Sequence, residues 1–420
     1  MILRKIKELF NNNHAFNGIV KNDENLAAHT TMKVGGKAAL FIEPLDEKSL
    51  VFACSSLCAL NQNFLLIGGG SNLIISDSGF NVALSTRKLN KIGFYKTESD
   101  DKKNNREKIG DFEIQRTERT DIPDYENLEN KATLEIASEN QKNEGNPESN
   151  KEPAVGTETE KRFFIQAQCG ASWGSVIGFC EKNVLRGFEE FSGLPGTVGG
   201  ALFMNASCFG KSADKNLVSV KYFDTQANEI REYFYKASDW GYKKSPFQNP
   251  AIKKNERSVE NEKLKIGENT SFAKSRSTLA FPQKIIISAV FECFNLPGLK
   301  SSEDELRARR EFFARERAAK GHFSFPSAGS VFKNRPEEGI IAGKIIDECG
   351  LKGLSVGGAQ VAFHHANFII NTGGATSADI KKLVQIVEET VQKKKNVSLK
   401  REIIFASDCE ESLSDFKNNG

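Results

Sequence analysis

The sequence predicts an α+β fold in two parts, and two observations support this. Before residue 300 most apolar runs are short and strand-like, as in "AALFIEP", "FLLIGGG" and "KIIISAVFECF". After residue 300 helical and strand-like runs follow one another, beginning with the charged run "SSEDELRARREFFARERAAK". This change in texture places a domain boundary near residue 300.

The individual elements follow from periodicity and capping residues. Further strands of the first part are "NLIIS", "FFIQAQCG", "VSVKYFD" and "IREYFY". In the second part the charged helix has Ser302 and Glu305 at capping-box spacing. A short helix, "GIIAGKIIDECG", ends at Gly350, and "ANFIINTG" is a strand. The helix "TSADIKKLVQIVEETVQKKK" begins at a Thr376 or Ser377 cap, and "VSLKREIIFAS" is the last strand.

Composition excludes several classes of protein. The 58 basic and 55 acidic residues give a net charge of only +3, so no overall field favours nucleic acid or a membrane surface. The opening "MILRKIKELF" is amphipathic and lacks the apolar run of a secretory signal, and no run is long enough to span a membrane. The eight cysteines are scattered, with Cys54 and Cys58 one helical turn apart. We therefore expect a cytoplasmic protein with reduced, mostly buried thiols and no metal.

Two polar stretches interrupt the strand pattern. Residues 95–160 are rich in Asp, Glu, Lys and Asn without sustained periodicity, and residues 249–278 are similar. Strand-like runs resume after each stretch. Both are therefore interpreted as surface insertions within one domain.

The first motif is "LLIGGGSNLIIS", which predicts a strand-loop-strand anion cradle. Its three glycines, Gly68, Gly69 and Gly70, let backbone N–H groups approach a phosphate, and Ser71 and Asn72 follow them. The motif continues into a strand and not a helix, so it is not a Rossmann loop. Taken alone, a tight glycine turn explains a triple glycine equally well.

The second motif is "SGLPGTVGGALFMNASCFGKS", whose glycines and proline predict a loop lying against a flat ligand. The polar residues Thr197, Asn205 and Ser207 add hydrogen-bonding groups. The terminal "GKS" lacks the glycine that a Walker motif requires five residues before Gly210, because Asn205 stands there. The motif therefore argues against an NTPase.

The third motif, "PSAGSVFKN", contains Ser330. A serine nucleophile needs a base, yet there is no GxSxG elbow, and His322 is the only histidine nearby in sequence. His364 and His365 are further candidates if the fold brings them close. Ser330 could instead donate a proton, and a simple turn serine is the explanation if the loop is considered alone.

Together these motifs resemble one family. "HTTMKVGG", "IGGGSNLIISDSGF", "SGLPGTVGGALFMNA", "PSAGSVFKN", "AGKIIDECGLKGLSVGGAQV" and "HANFIINTGGAT" occur in the order typical of the UDP-N-acetylenolpyruvoylglucosamine reductase (MurB) family. The resemblance extends over nearly the whole chain apart from the two insertions. It is closest to the shorter, type II-like subclass, which lacks an extra loop near the C-terminal domain.

The resemblance implies a domain plan and a cofactor. An N-terminal helix would occupy residues 1–16, a PCMH/VAO-type FAD-binding domain of two subdomains 17–300, a C-terminal substrate-binding domain 301–410, and a tail 411–420. FAD would be bound without a covalent link. Gly68, Gly69, Gly70, Ser71 and Asn72 would hold its pyrophosphate, and Pro195, Gly196, Thr197, Gly200 and Asn205 would line the flavin.

The resemblance also implies a reaction. NADPH would reduce the flavin, which would then reduce UDP-N-acetylglucosamine enolpyruvate to UDP-N-acetylmuramate. Ser330 aligns with the family's proton donor and Glu402 with its catalytic glutamate, while Tyr242, Lys333 and Asn334 would contact the substrate. No nucleic acid, membrane insertion or metal is implied, and we expect a monomer.

The chain departs from the family pattern at four positions. Lys243 replaces the arginine of a Tyr-Arg-x-Ser motif, which keeps the charge but loses the planar fork of the guanidinium. Ser207, Phe209 and Ile404 replace a glycine, a tyrosine and an arginine. Lys243 and Ile404 leave open a binding or regulatory protein without turnover, although Ser330 and Glu402 are both retained. A second alternative is an FAD oxidoreductase of the same fold with another substrate, because the flavin cradle is shared more widely than the C-terminal domain; the "SAGSVFKN" loop argues against it.

Overall fold

The computed structural model describes residues 2–95, 108–109, 112–113, 161–248, 282–295, 303–321 and 324–407. The predicted cap Ser302, the candidate base His322 and most of both insertions lie outside these ranges. Among the described residues of the first insertion there is one short antiparallel hairpin, Lys108–Ile109 with Phe112–Glu113.

Seven helices and nineteen strands are present in the described ranges. The helices are α1 (Ile2–Asn11), α2 (Glu47–Ala59), α3 (Trp173–Lys182), α4 (Val198–Met204), α5 (Glu303–Ala319), α6 (Ala342–Glu348) and α7 (Ser377–Lys395). The strands are β1 (Gly18–Asn25), β2 (Lys37–Pro44), β3 (Leu65–Ile67), β4 (Leu73–Ile75), β5 (Phe80–Ser85), β6 (Ile92–Phe94), β7 (Lys108–Ile109), β8 (Phe112–Glu113), β9 (Lys161–Gln168), β10 (Ser207–Cys208), β11 (Lys211–Ser212), β12 (Leu217–Asp224), β13 (Glu229–Phe234), β14 (Lys284–Asn295), β15 (Ser327–Ser330), β16 (Ser355–Val356), β17 (Ala359–Val361), β18 (Phe368–Asn371) and β19 (Ile404–Ala406).

The first subdomain is a four-stranded sheet in the order β1-β2-β5-β3. Strand β5 pairs in parallel with both β2 and β3, and α2 packs on the sheet as the connection between them. Strands β3 and β4 flank the glycine loop as predicted, but they belong to different sheets. The loop therefore lies where the chain passes from one sheet to another.

The second subdomain is a five-stranded antiparallel sheet in the order β13-β12-β14-β9-β6. Helix α4 packs against β14, the central strand of the sheet, and against its neighbour β9. Trp173 of α3 is fully buried, and its ring stacks on Phe191 at a centroid distance of 4.5 Å. This aromatic core fixes the segment that leads into the second glycine loop.

The C-terminal part has a four-stranded sheet in the order β15-β18-β17-β16, covered by α7. Thr376 caps α7 in a capping box with Asp379, as the sequence predicted. Helix α5 packs on α3 of the second subdomain. Arg307 and Arg310 of α5 both bind the carboxylate of Glu181 in α3.

The C-terminal part and the first subdomain share one hydrophobic core. Met32, Val34 and Ile74 of the first subdomain belong to the same buried cluster as Val331 and Val384. Asp77, also from the first subdomain, accepts hydrogen bonds from the first two backbone N–H groups of α7, at 2.8 and 3.1 Å. The serine loop is thus fixed relative to the first glycine loop.

Some local predictions need correction. The last strand is shorter than "VSLKREIIFAS", since only β19 forms a ladder, in parallel with β4, and the residues before it make a single isolated bridge at Arg401. The seven cysteines in the described ranges are free, and six are buried, as expected. No helix within the described ranges is long and apolar enough to cross a membrane.

Candidate active site

The first glycine loop, Gly68 to Asn72, joins β3 to β4. Gly70 has a φ of +64°, and a Cβ there would lie 2.0 Å from the backbone oxygen of His29, so only glycine fits. Within the described residues, the N–H groups of Gly69, Gly70 and Ser71 have no backbone or side-chain acceptor. Such free N–H groups bind anions.

The second glycine loop faces the first across a close contact. A Cβ on Gly69 would lie 2.4 Å from the Cα of Gly196, and a Cβ on Gly196 would lie 2.7 Å from the Oγ of Ser71. Pro195 precedes this contact, and Gly200 lies in the first turn of α4. The two predicted cofactor loops are therefore brought together by the fold.

Thr197 carries an unused hydroxyl between the two loops. It is the N-cap residue of α4, yet its side chain makes no capping hydrogen bond. Its Oγ1 is buried and has no partner within the described residues, and it lies close to Gly68. A buried hydroxyl without a partner is costly, so this group is suited to bind a ligand.

Asn205 occupies the C-cap of α4 in the left-handed conformation, with a φ of 41°. Its Nδ2 donates to the backbone oxygen of Gly241 at 2.9 Å, and its Oδ1 accepts from the N–H of Asp214 at 3.3 Å. Both polar ends of this predicted flavin-lining residue therefore bind the protein backbone.

Ser330 ends β15 beside an open space. The preceding Gly329 has a φ of +77°, and a Cβ built on it would meet no atom within 4 Å. Within the described residues the Ser330 hydroxyl makes no hydrogen bond, so its proton is available to a ligand. The neighbouring Val331 accepts from the backbone N–H of Glu402 at 2.7 Å. Ser330 and Glu402 thus lie on adjacent, hydrogen-bonded segments.

Asn367 braces this pairing and was not singled out from the sequence. Its carboxamide accepts from the N–H of Phe332 at 2.9 Å and donates to the oxygen of Phe332 at 2.8 Å. The side chain is nearly fully buried. Its place in the motif "HANFIINTGGAT" was the only sequence signal, because the contact joins residues distant along the chain.

Glu402 forms an ion pair with Lys243, at 2.7 Å between Oε1 and Nζ. Both side chains are only 12% exposed, so the pair is largely removed from water. The backbone oxygen of Glu402 accepts from Nδ2 of Asn72 at 3.1 Å, and the N–H of Ile404 donates to the oxygen of Asn72 at 3.0 Å. The predicted catalytic glutamate is therefore anchored to the first glycine loop.

The remaining predicted substrate residues surround this ion pair. The Tyr242 hydroxyl accepts from the N–H of Asn334 at 3.4 Å, and burial, followed by the charge of Glu402, raises the pKa of Tyr242. Burial lowers the pKa of Lys333, and the charges of Lys400 and Lys243 lower it further, although Glu402 opposes the shift. Around Lys333, Lys400 and Lys243 face one carboxylate, that of Glu402, which gives a local positive excess.

The sequence-predicted residues thus form two groups. Gly68 to Ser71 and Pro195 to Gly200 line the contact between the loops, whereas Ser330, Glu402, Lys243, Tyr242, Lys333 and Asn334 form a polar cluster tied to them by Asn72 and Asn205. Free backbone donors, a serine hydroxyl without a protein partner and an excess of lysines are the features of an enzyme site for anionic ligands. No group of three or more metal-binding side chains occurs in the described ranges.

Comparison with known proteins shows which family this chain resembles. Residues 321–406 match the model of the UDP-N-acetylenolpyruvoylglucosamine reductase C-terminal domain. The chain is 34% identical over 394 residues to a reductase of that name from Treponema denticola, covering 93% of this chain and 94% of the relative. A reductase of the same name from Carboxydothermus hydrogenoformans is 30% identical, covering 91% and 93% of the two chains.

A solved structure agrees in fold. The MurB structure from Thermus caldophilus has a TM-score of 0.54 at 21% identity and covers 93% of this chain and 100% of its own. The chain belongs to the UDP-N-acetylenolpyruvoylglucosamine reductase family, and the α+β fold prediction is confirmed. The family's cofactor is FAD, and the free N–H groups of the first loop and the unpartnered Thr197 hydroxyl fit such a group.

The Thr197 hydroxyl provides a test of the cofactor site. We expect Thr197→Val to weaken FAD binding about 5–10-fold, which corresponds to the loss of one hydrogen bond worth about 1–1.5 kcal/mol. The apoprotein should be as stable as the wild type, because the hydroxyl has no protein partner. Flavin fluorescence titration and thermal unfolding of the apoprotein measure the two effects.

Thr225→Val is the matched control, since the Thr225 hydroxyl donates to the backbone oxygen of Pro282 at 2.9 Å. This control should lower stability and leave FAD affinity unchanged. An unaltered FAD affinity in Thr197→Val would contradict the assignment of its hydroxyl to the cofactor.

Proposed function

We propose that the residues of this site carry out the family's reaction, the NADPH-dependent reduction of UDP-N-acetylglucosamine enolpyruvate to UDP-N-acetylmuramate in peptidoglycan synthesis. The observation that carries the residue assignment is that Glu402 pairs with Lys243, while its backbone bonds both Val331, next to Ser330, and Asn72 of the first glycine loop. Cytoplasmic location and a monomeric state remain predictions.

FAD supplies the chemistry of hydride transfer from NADPH to the carbon substrate. The N–H groups of Gly69, Gly70 and Ser71 would hold its pyrophosphate. The hydroxyl of Thr197 and the backbone of Pro195 and Gly196 would line the flavin. Asn72 and Asn205 would support the FAD site indirectly, since their side-chain amides donate to the backbone oxygens of Glu402 and Gly241.

Ser330 would supply the proton. Hydride adds to the terminal CH₂ carbon of the enolpyruvyl group, the carbon–carbon double bond opens, and its electron pair moves toward the carboxylate. The resulting enolate is protonated at the carbon that bears the ether oxygen, which completes the lactyl group. A hydroxyl beside open space and without a protein acceptor is placed to donate this proton.

Lys243 and Glu402 would control the charge that develops during this step. The Lys243 ammonium neutralises the substrate carboxylate and the enolate, where a partly buried cation is worth more than in water. Glu402 orients the ammonium through their 2.7 Å contact and assists protonation by Ser330. Lys243 would thus take the role of the family arginine, with a compact ammonium charge in place of a planar guanidinium.

The rest of the cluster would bind the nucleotide sugar. Lys333 offers a cation to an anionic group, and Tyr242 and Asn334 are held together by their own hydrogen bond. Asn334 is fixed further because its Oδ1 accepts the N–H of Ala342 at the start of α6. This supports a rigid binding surface.

The activity is tested by visible absorption during anaerobic additions. NADPH should bleach the flavin, and UDP-N-acetylglucosamine enolpyruvate should restore its colour. Ser330→Ala should bleach at the wild-type rate and regain colour at least 10²-fold more slowly, because the proton donor contributes only to the second half-reaction. Ser327→Ala in the same strand is the control and should match the wild type. Equal rates of recolouring in Ser330→Ala would contradict the role of Ser330.

The lowered pKa of Lys333 predicts a pH effect on substrate binding. The charged ammonium attracts an anionic substrate, and this attraction is present below the pKa and lost as pH rises through it. Since burial lowers that pKa, KM should rise at a pH below the usual lysine range. Lys333→Arg keeps its charge and should shift the rise to higher pH, whereas an identical KM profile would contradict the assignment.

A further inference from the structure

Lys243 lies at the tip of a tight turn. The N–H of Gly241 donates to the oxygen of Lys244 at 3.2 Å, and the N–H of Lys244 donates to the oxygen of Gly241 at 3.0 Å. Tyr242 and Lys243 occupy the two central positions, and Lys243 has a φ of +54°. Such a short turn cannot determine by itself where its tip points relative to the rest of the fold.

The turn is tied to the end of helix α4 at two points. Asn205 Nδ2 donates to the oxygen of Gly241 at 2.9 Å, and Ser245 Oγ donates to the oxygen of Phe203 at 2.7 Å. Inside the turn region, Gln248 Nε2 donates to the oxygen of Lys243 at 3.2 Å. Helix α4, whose N-cap is Thr197 of the second glycine loop, therefore holds the segment that carries Lys243 at its other end.

Asn205 is well suited to hold this position. Its left-handed backbone is one that asparagine tolerates better than most residues, and the side chain is only 3% exposed. Its Oδ1 is fixed by the N–H of Asp214, and the Asp214 carboxylate accepts from Tyr235 at 3.1 Å. The amide orientation is thus determined by a buried network.

We propose that Asn205 is a positioning residue that holds Lys243 against Glu402 and so connects the flavin-binding helix to the catalytic ion pair. The proposal rests on the function proposed above. It differs from the sequence-based role of Asn205 as a flavin contact, because both polar ends of its side chain bind backbone outside the cofactor loops. Misplacement of a charged group by about 1 Å can lower a rate about 100-fold.

Asn205→Gly is the test variant, because glycine adopts the left-handed conformation without strain and removes only the amide. We expect kcat to fall about 10–100-fold at saturating FAD. FAD affinity should change by less than about threefold, since the backbone of α4 is kept. The control is Asn228→Gly, an exposed asparagine with a φ of +56° in the turn between β12 and β13, and it should behave as the wild type.

Two results would overturn the proposal. One is a weakened FAD affinity with wild-type kcat at saturating FAD, which is the signature of a cofactor ligand. The other is an FAD affinity and a kcat that both equal those of the wild type. If the wild type itself does not reduce the enolpyruvyl sugar, the proposed function is wrong, and the positioning role, which rests on it, is wrong as well.

A second measurement separates positioning from a general loss of stability. If Asn205 acts through Lys243, Asn205→Gly should lower kcat less than about twofold when it is introduced into Lys243→Ala, since residues that act as a unit are not additive. A reduction as large as in the wild-type background would overturn the proposal. Thermal unfolding of the holoenzyme accompanies each variant and should show a single folded state.

Discussion

The site depends on one contact, the ion pair between Lys243 and Glu402. It joins the second subdomain to the C-terminal part, whose core is shared with the first subdomain. Each charge is mostly removed from water, so each requires the other or an equivalent ligand charge.

Both members of the pair are supported from the cofactor loops. Asn72, at the end of the first loop, binds the backbone of Glu402, and Asn205, at the end of the helix that follows the second loop, binds the turn that carries Lys243. The two loops contact each other directly at Gly69 and Gly196. The two glycine loops and the Lys243–Glu402 ion pair are therefore joined by direct contacts, which is the preorganisation that the proposed charge stabilisation requires.

Sequence patterns were sufficient for features encoded locally. The strand-loop-strand at Gly68, the cap of α7 at Thr376 and the strand-rich first part follow from glycine spacing, capping residues and apolar alternation. Sequence patterns could not predict the contact that Asn205 makes, because its amide donates to the backbone oxygen of Gly241, which is distant in sequence. The length of the last strand was also wrong, since only its pairing with β4 defines a ladder. The roles of Ser330 and Glu402 came from a resemblance, which spacing alone could not supply.

Lys243 and Glu402 are proposed to act as a pair, and a double-mutant cycle on kcat measures their coupling. Lys243→Ala, Glu402→Gln and the double variant are compared with the wild type at saturating FAD and substrate, with Lys243→Arg as the variant that keeps the charge. We expect a coupling free energy of about 1–3 kcal/mol, with the double variant little slower than the slower single variant. If the kcat of the double variant falls by the product of the two single reductions, the two residues act independently and the proposed pairing is wrong.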